Sequence, residues 1–231
     1  MEGTAMFKKV TWAIVSLFIG VMLIFAGAKE SIIYIKKTTV DLNTAPMSDF
    51  NKVAIAKGEI GCVLGSFATM TEEQKFLGII PGSKHETEYY LVENLTRDEI
   101  VKIENGEESP SAEGFLYVVA ASTDEMKAAL DKNIQGWIDY DDGKTDKVPE
   151  AVQFEGKLWK QSKEDDYLKY RDDFVAECGL STAMLAEYRA QDTKINAGCF
   201  AVLAIGFGCL IFGIIDSIIV IRHFLNRKNE Y

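Results

Sequence analysis

Two apolar stretches enclose a polar middle, and this pattern predicts the layout of the chain. Residues 195–221 read INAGCFAVLAIGFGCLIFGIIDSIIVI, with no charged side chain before position 216. Residues 10–28 read VTWAIVSLFIGVMLIFAGA and carry no charge. At a rise of about 1.5 Å per residue, a helix of either length spans the roughly 30 Å apolar core of a bilayer. The pattern therefore predicts two transmembrane helices, 10–28 and 195–221.

The first apolar stretch has two interpretations. Ala26-Gly27-Ala28 fits the small-residue cleavage site of a secretory signal peptide. The run is longer than the usual signal core, however, and Trp12 lies where an interfacial aromatic anchor is expected. We therefore expect a retained helix.

The pattern of residues 29–194 predicts an α+β domain of mainly antiparallel strands plus amphipathic helices. Apolar spacing of a helix occurs in Thr123–Tyr140, after Ser162 and in Ser181–Gln191. Turn chemistry at residues 81–84 predicts a hairpin between its two flanking strands. The predicted strands are Lys52–Phe67, Phe76–Ile80, Glu88–Glu93, Ile100–Ile103, Phe115–Ala121 and Val152–Trp159.

Charge separates the middle of the chain from its ends. Residues 29–194 contain 20 basic and 32 acidic residues, a net charge of −12, against −10 for the whole chain. An acidic domain repels phosphates, so we expect no nucleic acid partner.

The basic residues that flank the apolar stretches predict an orientation. Short segments rich in Lys and Arg remain on the cytoplasmic side of a membrane. We therefore expect cytoplasmic tails at 1–9 and 222–231, an extracytoplasmic domain, and a multi-pass protein of the plasma membrane. The flanking residues are Lys8, Lys9, Arg222, Arg227 and Lys228.

Two cysteines fall in the middle domain. An extracytoplasmic setting would allow a disulfide between Cys62 and Cys178, and the alternative is two free thiols. Cys199 and Cys209 lie within the second apolar stretch, where we expect them to pack as small side chains.

An acidic loop is the best candidate for a metal site. Calcium prefers six to eight oxygen ligands from a loop of this kind. Lys144 occupies the position at which a calcium loop needs glycine, so a solvated charged turn is the alternative. The candidate ligands are Asp139, Asp141, Asp142, Asp146 and Glu150.

Asp216 is an acidic residue within the second apolar stretch. An intramembrane carboxylate costs free energy and usually serves a function. The alternative places Asp216 at the headgroups, because Arg222 follows within about 9 Å of helix rise.

Small residues four apart in the second stretch predict close helix packing. The partner would be the first stretch, which carries Gly20 and Gly27, or a second copy of the chain. The predicted packing residues, with Cys209 beside them, are Ala197, Ala201, Ala204, Gly208, Gly213 and Ser217.

Motifs of known catalysts are absent from the sequence. It has no HExxH, GxSxG, phosphate-loop or dinucleotide fingerprint, and its histidines are His85 and His223. We therefore expect no enzyme activity and no cofactor.

The stretch FEGKLWKQ (154–161), followed by a tyrosine-rich segment ending in ECGLS (177–181), lies between two apolar stretches. In the order of its segments and in these stretches, the chain resembles uncharacterised two-span membrane proteins of bacteria, particularly Gram-positive species. The resemblance implies a membrane setting and no particular site.

Three functional hypotheses follow. The first is a two-span membrane protein whose acidic outer domain binds a protein or envelope partner in an accessory or scaffold role. The second is a transport or sensing subunit that uses Asp216. The third is a membrane-anchored enzyme.

Overall fold

A computed structural model of the chain describes residues 2–76, 80–106, 114–195 and 197–228. The chain divides into two units. One joins Met1–Lys36 with Ile195–Tyr231, and the other is Lys37–Lys194. The division matches the contrast between apolar ends and a polar middle.

The first unit contains two long helices, α1 (Glu2–Lys36) and α5 (Gly198–Lys228). Their apolar parts, Phe7–Lys36 and Gly198–Asn226, are long and apolar enough to cross a membrane. Only 17% of each apolar window is buried within the protein, unlike the core helix of a soluble domain. α1 extends beyond the predicted range at both ends and includes residues 29–36. α5 begins three residues later than predicted and continues to Lys228.

α1 and α5 pack against each other in opposite directions along a stripe of small residues. A Cβ atom added at Gly20 would lie 2.8 Å from the Leu210 nitrogen, and one added at Gly27 would lie 3.1 Å from the Cys199 oxygen. The backbones therefore approach closely enough that larger side chains would separate them. The buried stripe has a seven-residue interval, formed by Ala13, Gly20 and Gly27 in α1 and by Cys199, Gly206, Gly213 and Val220 in α5.

The second unit is built on one seven-stranded sheet, ordered β1-β2-β6-β7-β5-β4-β3. The β1–β2 and β5–β7 pairs are parallel, and the other four neighbouring pairs are antiparallel. The α+β prediction with mainly antiparallel strands is confirmed. The strands are β1 Thr39–Asp41, β2 Ala54–Ile60, β3 Cys62–Phe76, β4 Ile80–Glu93, β5 Leu116–Ala121, β6 Val152–Lys160 and β7 Tyr188–Gln191.

Helices cover both faces of the sheet. Leu130 of α3 (Asp124–Asp141) packs in the larger core with Tyr117 and Val119 of β5. On the opposite face, Tyr167 and Val175 belong to α4 (Asp165–Glu177) and pack in two smaller clusters. Because successive β5 side chains enter opposite cores, all six residues of β5 are buried. This explains its continuous apolar run.

Two predicted elements are wrong. Ile100–Ile103 lies in a helix, α2 (Arg97–Glu104), which begins with a capping box between Thr96 and Glu99. The predicted helix Ser181–Gln191 is a short 3₁₀ helix, Thr182–Met184, followed by β7. Pairing with strands on both sides overrides the local helical pattern of this segment.

The hairpin predicted between Phe76–Ile80 and Glu88–Glu93 is wrong, because Glu88–Glu93 pairs with the beginning of β3, from Cys62 to Thr69. Residues 81–84 belong to β4, which pairs with β3. The connection at 77–79 lies outside the described residues. The β5 ladder covers Glu88–Glu93 of β4, so the earlier part of β4 continues past β5 with β3 as its ladder partner.

Candidate functional site

Strand β7 is short, and its length leaves part of β6 with one partner. The ladder between β6 and β7 covers Lys157–Lys160. On its other side, β6 pairs with β2 from Val152 to Leu158. Residues 152–156 therefore pair with β2 alone in the part of the chain that the structure describes. In an antiparallel strand, alternate residues direct their N–H and C=O groups to opposite sides. Some backbone groups of 152–156 consequently point away from β2; we call this stretch the open edge.

A groove of about 1260 Å³ runs beside the open edge. Residues Ala151–Glu155 line one wall, and α3 provides the other wall with Met126, Ala129 and Asn133. Phe154 and Val152 are buried side chains on the wall formed by β6. The groove thus combines free backbone groups with an apolar lining. Charged side chains that line it are Arg97, Glu125, Lys132, Asp146, Lys147, Glu150, Glu155, Asp192 and Lys194.

A buried amide holds α3 against the beginning of β6. Asn133 is 2% exposed, and its Oδ1 accepts a hydrogen bond from the Val63 backbone nitrogen at 3.1 Å. Its Nδ2 donates to the carbonyl of Glu150 at 3.0 Å and to that of Gly61 at 3.3 Å. Trp137 donates from Nε1 to the same Gly61 carbonyl at 2.9 Å. These bonds fix the spacing between the two walls of the groove.

The carboxylate of Asp192 directs the chain away from β6 after β7 ends. It accepts hydrogen bonds from the backbone nitrogens of Ser122 and Thr123, both at 2.9 Å, and from Thr123 Oγ1 at 2.8 Å. These partners immediately precede α3, for which Thr123 is the N-cap. Asp192 therefore ties the exit of β7 to the beginning of α3, and β7 stops short of the open edge.

Gly156 lies at the boundary between the open edge and the paired part of β6. A Cβ atom added there would lie 2.0 Å from the carbonyl oxygen of Gln191, the last residue of β7. That distance is impossible for a real contact, so this crossing of β7 over β6 requires glycine. The sequence thus fixes the point at which the two strands separate.

Lysines hold an acidic residue at the rim of the groove. Glu155 forms salt bridges with Lys57 at 2.8 Å and with Lys194 at 3.2 Å. Hydrogen bonds from these two lysines lower the pKa of the Glu155 carboxyl below its ordinary value. Glu155 is therefore a carboxylate at neutral pH, and its bond to Lys194 links the segment after β7 to β6.

The structure does not form the disulfide that was considered between Cys62 and Cys178. Neither cysteine is part of a disulfide, which agrees with the alternative of two thiols. Cys62 begins β3, where it pairs with Glu93, whereas Cys178 is the exposed C-cap residue of α4. Burial raises the pKa of the Cys178 thiol, and the charge of Glu177 adds to the rise.

The acidic loop does not gather a metal site. Among the described residues, no three side chains of the His, Cys, Asp and Glu types are placed to hold a metal ion. Lys144 Nζ instead lies 2.8 Å from Asp142 and 3.4 Å from Asp139. Two of the candidate carboxylates therefore pair with an ammonium group of the same loop. The other candidates, Asp141, Asp146 and Glu150, form no such group with them.

The predicted packing residues of α5 divide into two sets. Gly213 is buried and packs on Leu17, and Cys209 and Ser217 are half-buried beside it. Nothing described lies within 4 Å of a Cβ atom added at Gly208. The alanines of the predicted set are exposed and lie outside the buried stripe, so their contact with a second copy of the chain stays a prediction: Ala197, Ala201 and Ala204.

Asp216 lies beside the packing stripe of α5. It is half-buried, between the buried residues Gly213 and Val220. The neighbouring Ser217 donates from Oγ to the Gly213 carbonyl at 2.7 Å. This placement turns Asp216 toward the side of α5 that packs on α1.

The open edge and its groove were not found from the sequence. The alternation of β6 predicts a strand but gives no information on how far its neighbour extends. A local signal was present at Gly156, because glycine inside an alternating strand indicates a close backbone approach.

Comparison with known families gives one match. A family model described as a domain of unknown function, DUF8577, matches residues 4–222. The match covers both long helices and the sheet domain. Neither the curated proteins nor the solved structures yield a match to this chain.

Proposed function

The chain belongs to the DUF8577 family, whose function is unknown, and we propose that it is a two-span plasma membrane protein whose outer domain binds an extended segment of a partner protein. In this proposal the partner segment adds a strand to β6, and the chain serves as an accessory or scaffold subunit. The role is one of binding and requires no reaction chemistry.

The open edge is the observation that carries the proposal. Unpaired backbone groups beside a groove favour recognition of a peptide by strand addition, in which main-chain hydrogen bonds provide affinity. The edge lies inside the sheet order rather than at β1 or β3, the two outer strands. The vacancy next to Val152–Gly156 is therefore bounded by α3 on one side and by β6 on the other.

The groove indicates the chemistry of the segment. Side chains of an added strand alternate between two faces. Those that face Met126, Ala129 and Phe154 would be apolar, because these residues form the apolar lining. Those on the other face would be polar and would lie near Glu155 and Lys194. We expect a segment of about five residues with alternating character.

The orientation of the chain is the second part of the proposal. Basic residues flank both apolar helices at the ends nearest the chain termini, where α1 begins and where α5 ends. This distribution supports cytoplasmic tails. The sheet domain would then meet its partner outside the cytoplasm.

The groove is tested with a matched pair of substitutions. Ala129 lines the groove, whereas its neighbour Ala128 is exposed and lies outside the lining. Ala129→Phe would fill the groove, and Ala128→Phe adds the same side chain elsewhere. We expect a random peptide library, selected on the full chain in nanodiscs, to yield peptides of alternating apolar and polar residues. Their binding should fall at least tenfold in Ala129→Phe and persist in Ala128→Phe.

The binding proposal would be wrong if the selected peptides bound both variants equally, or if they lacked alternation. Hydrogen exchange provides a second readout. A bound peptide should protect amides of Val152–Gly156.

The orientation is tested with a native cysteine. Cys178 is exposed, so a variant that keeps it and replaces the other three cysteines needs no engineered thiol. A membrane-impermeant maleimide should label this variant in intact cells. Because burial raises the pKa of the Cys178 thiol, labelling should accelerate as the pH is raised above neutral. Labelling only after lysis would place the domain in the cytoplasm.

A transport or sensing role through Asp216 is the second candidate. It is supported by the half-buried position of Asp216 between Gly213 and Val220. A carboxylate on a packing surface between membrane helices is a functional candidate. If Asp216 serves transport or sensing, Asp216→Asn should abolish that activity and leave peptide binding unchanged. Unaltered transport or sensing would exclude the role.

A further inference from the structure

A second pocket lies on the face of the sheet that carries α4. Its volume is about 330 Å³, and it is separate from the groove beside β6. Arg189 of β7 contributes to its lining together with Trp159 at the end of β6 and Tyr89 of β4. None of these residues takes part in the binding proposed for the open edge.

Arg189 is a cation whose hydrogen-bonding capacity is incompletely used. Its Nε and Nη1 atoms are buried and have no hydrogen-bond partner among the described residues. The guanidinium carbon lies 5.3 Å from the centre of the Tyr89 ring, a cation–π distance. Stacking on a ring does not replace hydrogen bonds, and buried donors left unsatisfied cost free energy. The guanidinium also has the Tyr167 hydroxyl of α4 as a hydrogen-bond partner. An acceptor oxygen that reached Nε and Nη1 would complete this site.

Charges around the pocket favour an anion. Lys160 and Lys163 join Arg189 in the lining, and Glu164 is its acidic member. Lys160 Nζ lies 3.5 Å from a carboxylate oxygen of Glu187, and both of these side chains are more than half exposed. Three cations at one pocket stand out in a domain whose net charge is −12.

The uncharged lining includes apolar and aromatic side chains beside the polar Gln161 and Ser162. Met70, Tyr89 and Trp159 line the pocket beside the charged groups. A volume near 300 Å³ is at the small end for pockets that bind organic molecules. The pocket thus combines a place for an oxyanion with a surface for a ring or a short apolar chain.

We propose that this pocket binds a small organic anion, with a carboxylate or phosphate at Arg189 and an apolar or aromatic group against Trp159 and Tyr89. Arg189 forks to the oxyanion, as guanidinium groups do with planar or tetrahedral oxyanions. Lys163 adds charge at the rim. Binding here is independent of strand addition at β6.

Equilibrium dialysis of the full chain in detergent micelles tests the site. The probes are benzoate, phenyl phosphate and uncharged benzyl alcohol, at constant ionic strength. We expect the two anions to bind and benzyl alcohol to bind at least tenfold more weakly. The anion that binds with the higher affinity shows whether carboxylate or phosphate is preferred. Arg189→Met should reduce anion binding at least tenfold, and Glu164→Gln should strengthen it.

A matched pair of lysines keeps the test valid if Arg189→Met does not fold. Lys163→Gln removes a rim charge, whereas Lys169→Gln removes an exposed charge on α4 outside the pocket. Anion binding should weaken several-fold in the first and remain unchanged in the second. Equal binding of benzyl alcohol, or anion binding that is insensitive to both Arg189→Met and Lys163→Gln, would overturn the proposal.

Discussion

Strands β5 and β6 flank the same short strand, β7, and differ in how fully they are covered. All six residues of β5 are buried, and its ladder with β4 runs from Leu116 to Ala121. In β6 the side chains alternate between buried and exposed positions along Val152–Trp159. Among the described residues, its first five also lack a ladder partner on the β7 side. One neighbour of β7 is therefore a strand with buried side chains on both faces, and the other has a stretch that pairs on one side among the described residues.

This difference shows that a sheet can leave backbone groups unpaired on an interior strand such as β6, and not only on its outer strands. It depends on where β7 stops, which is set by Gly156 and by the bonds of Asp192 to the residues before α3. The same residues that complete the fold therefore also create the groove.

The largest effect should follow from Gly156→Ala. The added Cβ would lie 2.0 Å from the Gln191 oxygen, so β6 and β7 would have to separate. We expect a loss of about 4 kcal/mol or more in the free energy of unfolding, measured by urea denaturation. Gly114→Ala is the control, because its Cβ would meet neighbours at 3.6 Å and beyond. Similar stability of the two variants would contradict the close crossing.

A pair of core truncations sharpens the contrast between the strands. Leu116 of β5 is fully buried, whereas Val152 of β6 is 8% exposed and lines the groove. We expect Leu116→Ala to cost about 3 kcal/mol and Val152→Ala about 1 kcal/mol, because the latter leaves a space that joins the open groove. Urea midpoints of the two variants measure the difference. A larger cost for Val152→Ala would show that the open edge is packed.

Asn133→Ala should have an intermediate effect. The amide satisfies the Val63 nitrogen and the carbonyls of Gly61 and Glu150, which would lose these partners. We expect a cost of about 2 kcal/mol in unfolding free energy and a less regular groove. Gln135→Ala, on the same helix with an exposed bond to Asp139, should cost much less. Equal losses of unfolding free energy in the two variants would show that Asn133 does not support the groove.

The smallest effect concerns Glu155. Because its carboxyl pKa is lowered by Lys57 and Lys194, its stabilising contribution is present at neutral pH and is lost as the pH falls through the folded-state pKa. Glu155→Gln should cost no more than roughly 0.5 kcal/mol, since both pairs are exposed. The difference from the unsubstituted protein should vanish at low pH and shrink in high salt. A difference that persists at low pH would exclude an ionic origin.

Much of the fold could be predicted because its determinants are local. The two apolar helices follow from uncharged stretches, β5 from a continuous apolar run, and β6 from alternation. The helix α3 follows from its 3.6-residue pattern. In each case the side chains within one segment already indicate what that segment must bury.

The rest depends on contacts distant in sequence. The four residues of β7 become a strand because β5 and β6 lie on either side of them, and the local pattern of Ser181–Gln191 favours a helix instead. The groove follows from the end of that strand, so it was equally inaccessible. In the helix pair, a four-residue interval selected Gly208, whereas the seven-residue interval of Gly206 and Gly213 marks the actual contact.

Residue-by-residue amide hydrogen exchange in the full chain tests the open edge most directly. Amides of Val152–Gly156 should alternate, with those bonded to β2 protected and those directed into the groove exchanging rapidly. Val119 and Ala120 of β5, by contrast, have ladder partners on both sides, so both amides should be protected. Uniform protection of Val152–Gly156 in the absence of any peptide would show that the edge is already covered, and would contradict the proposed binding of a partner strand.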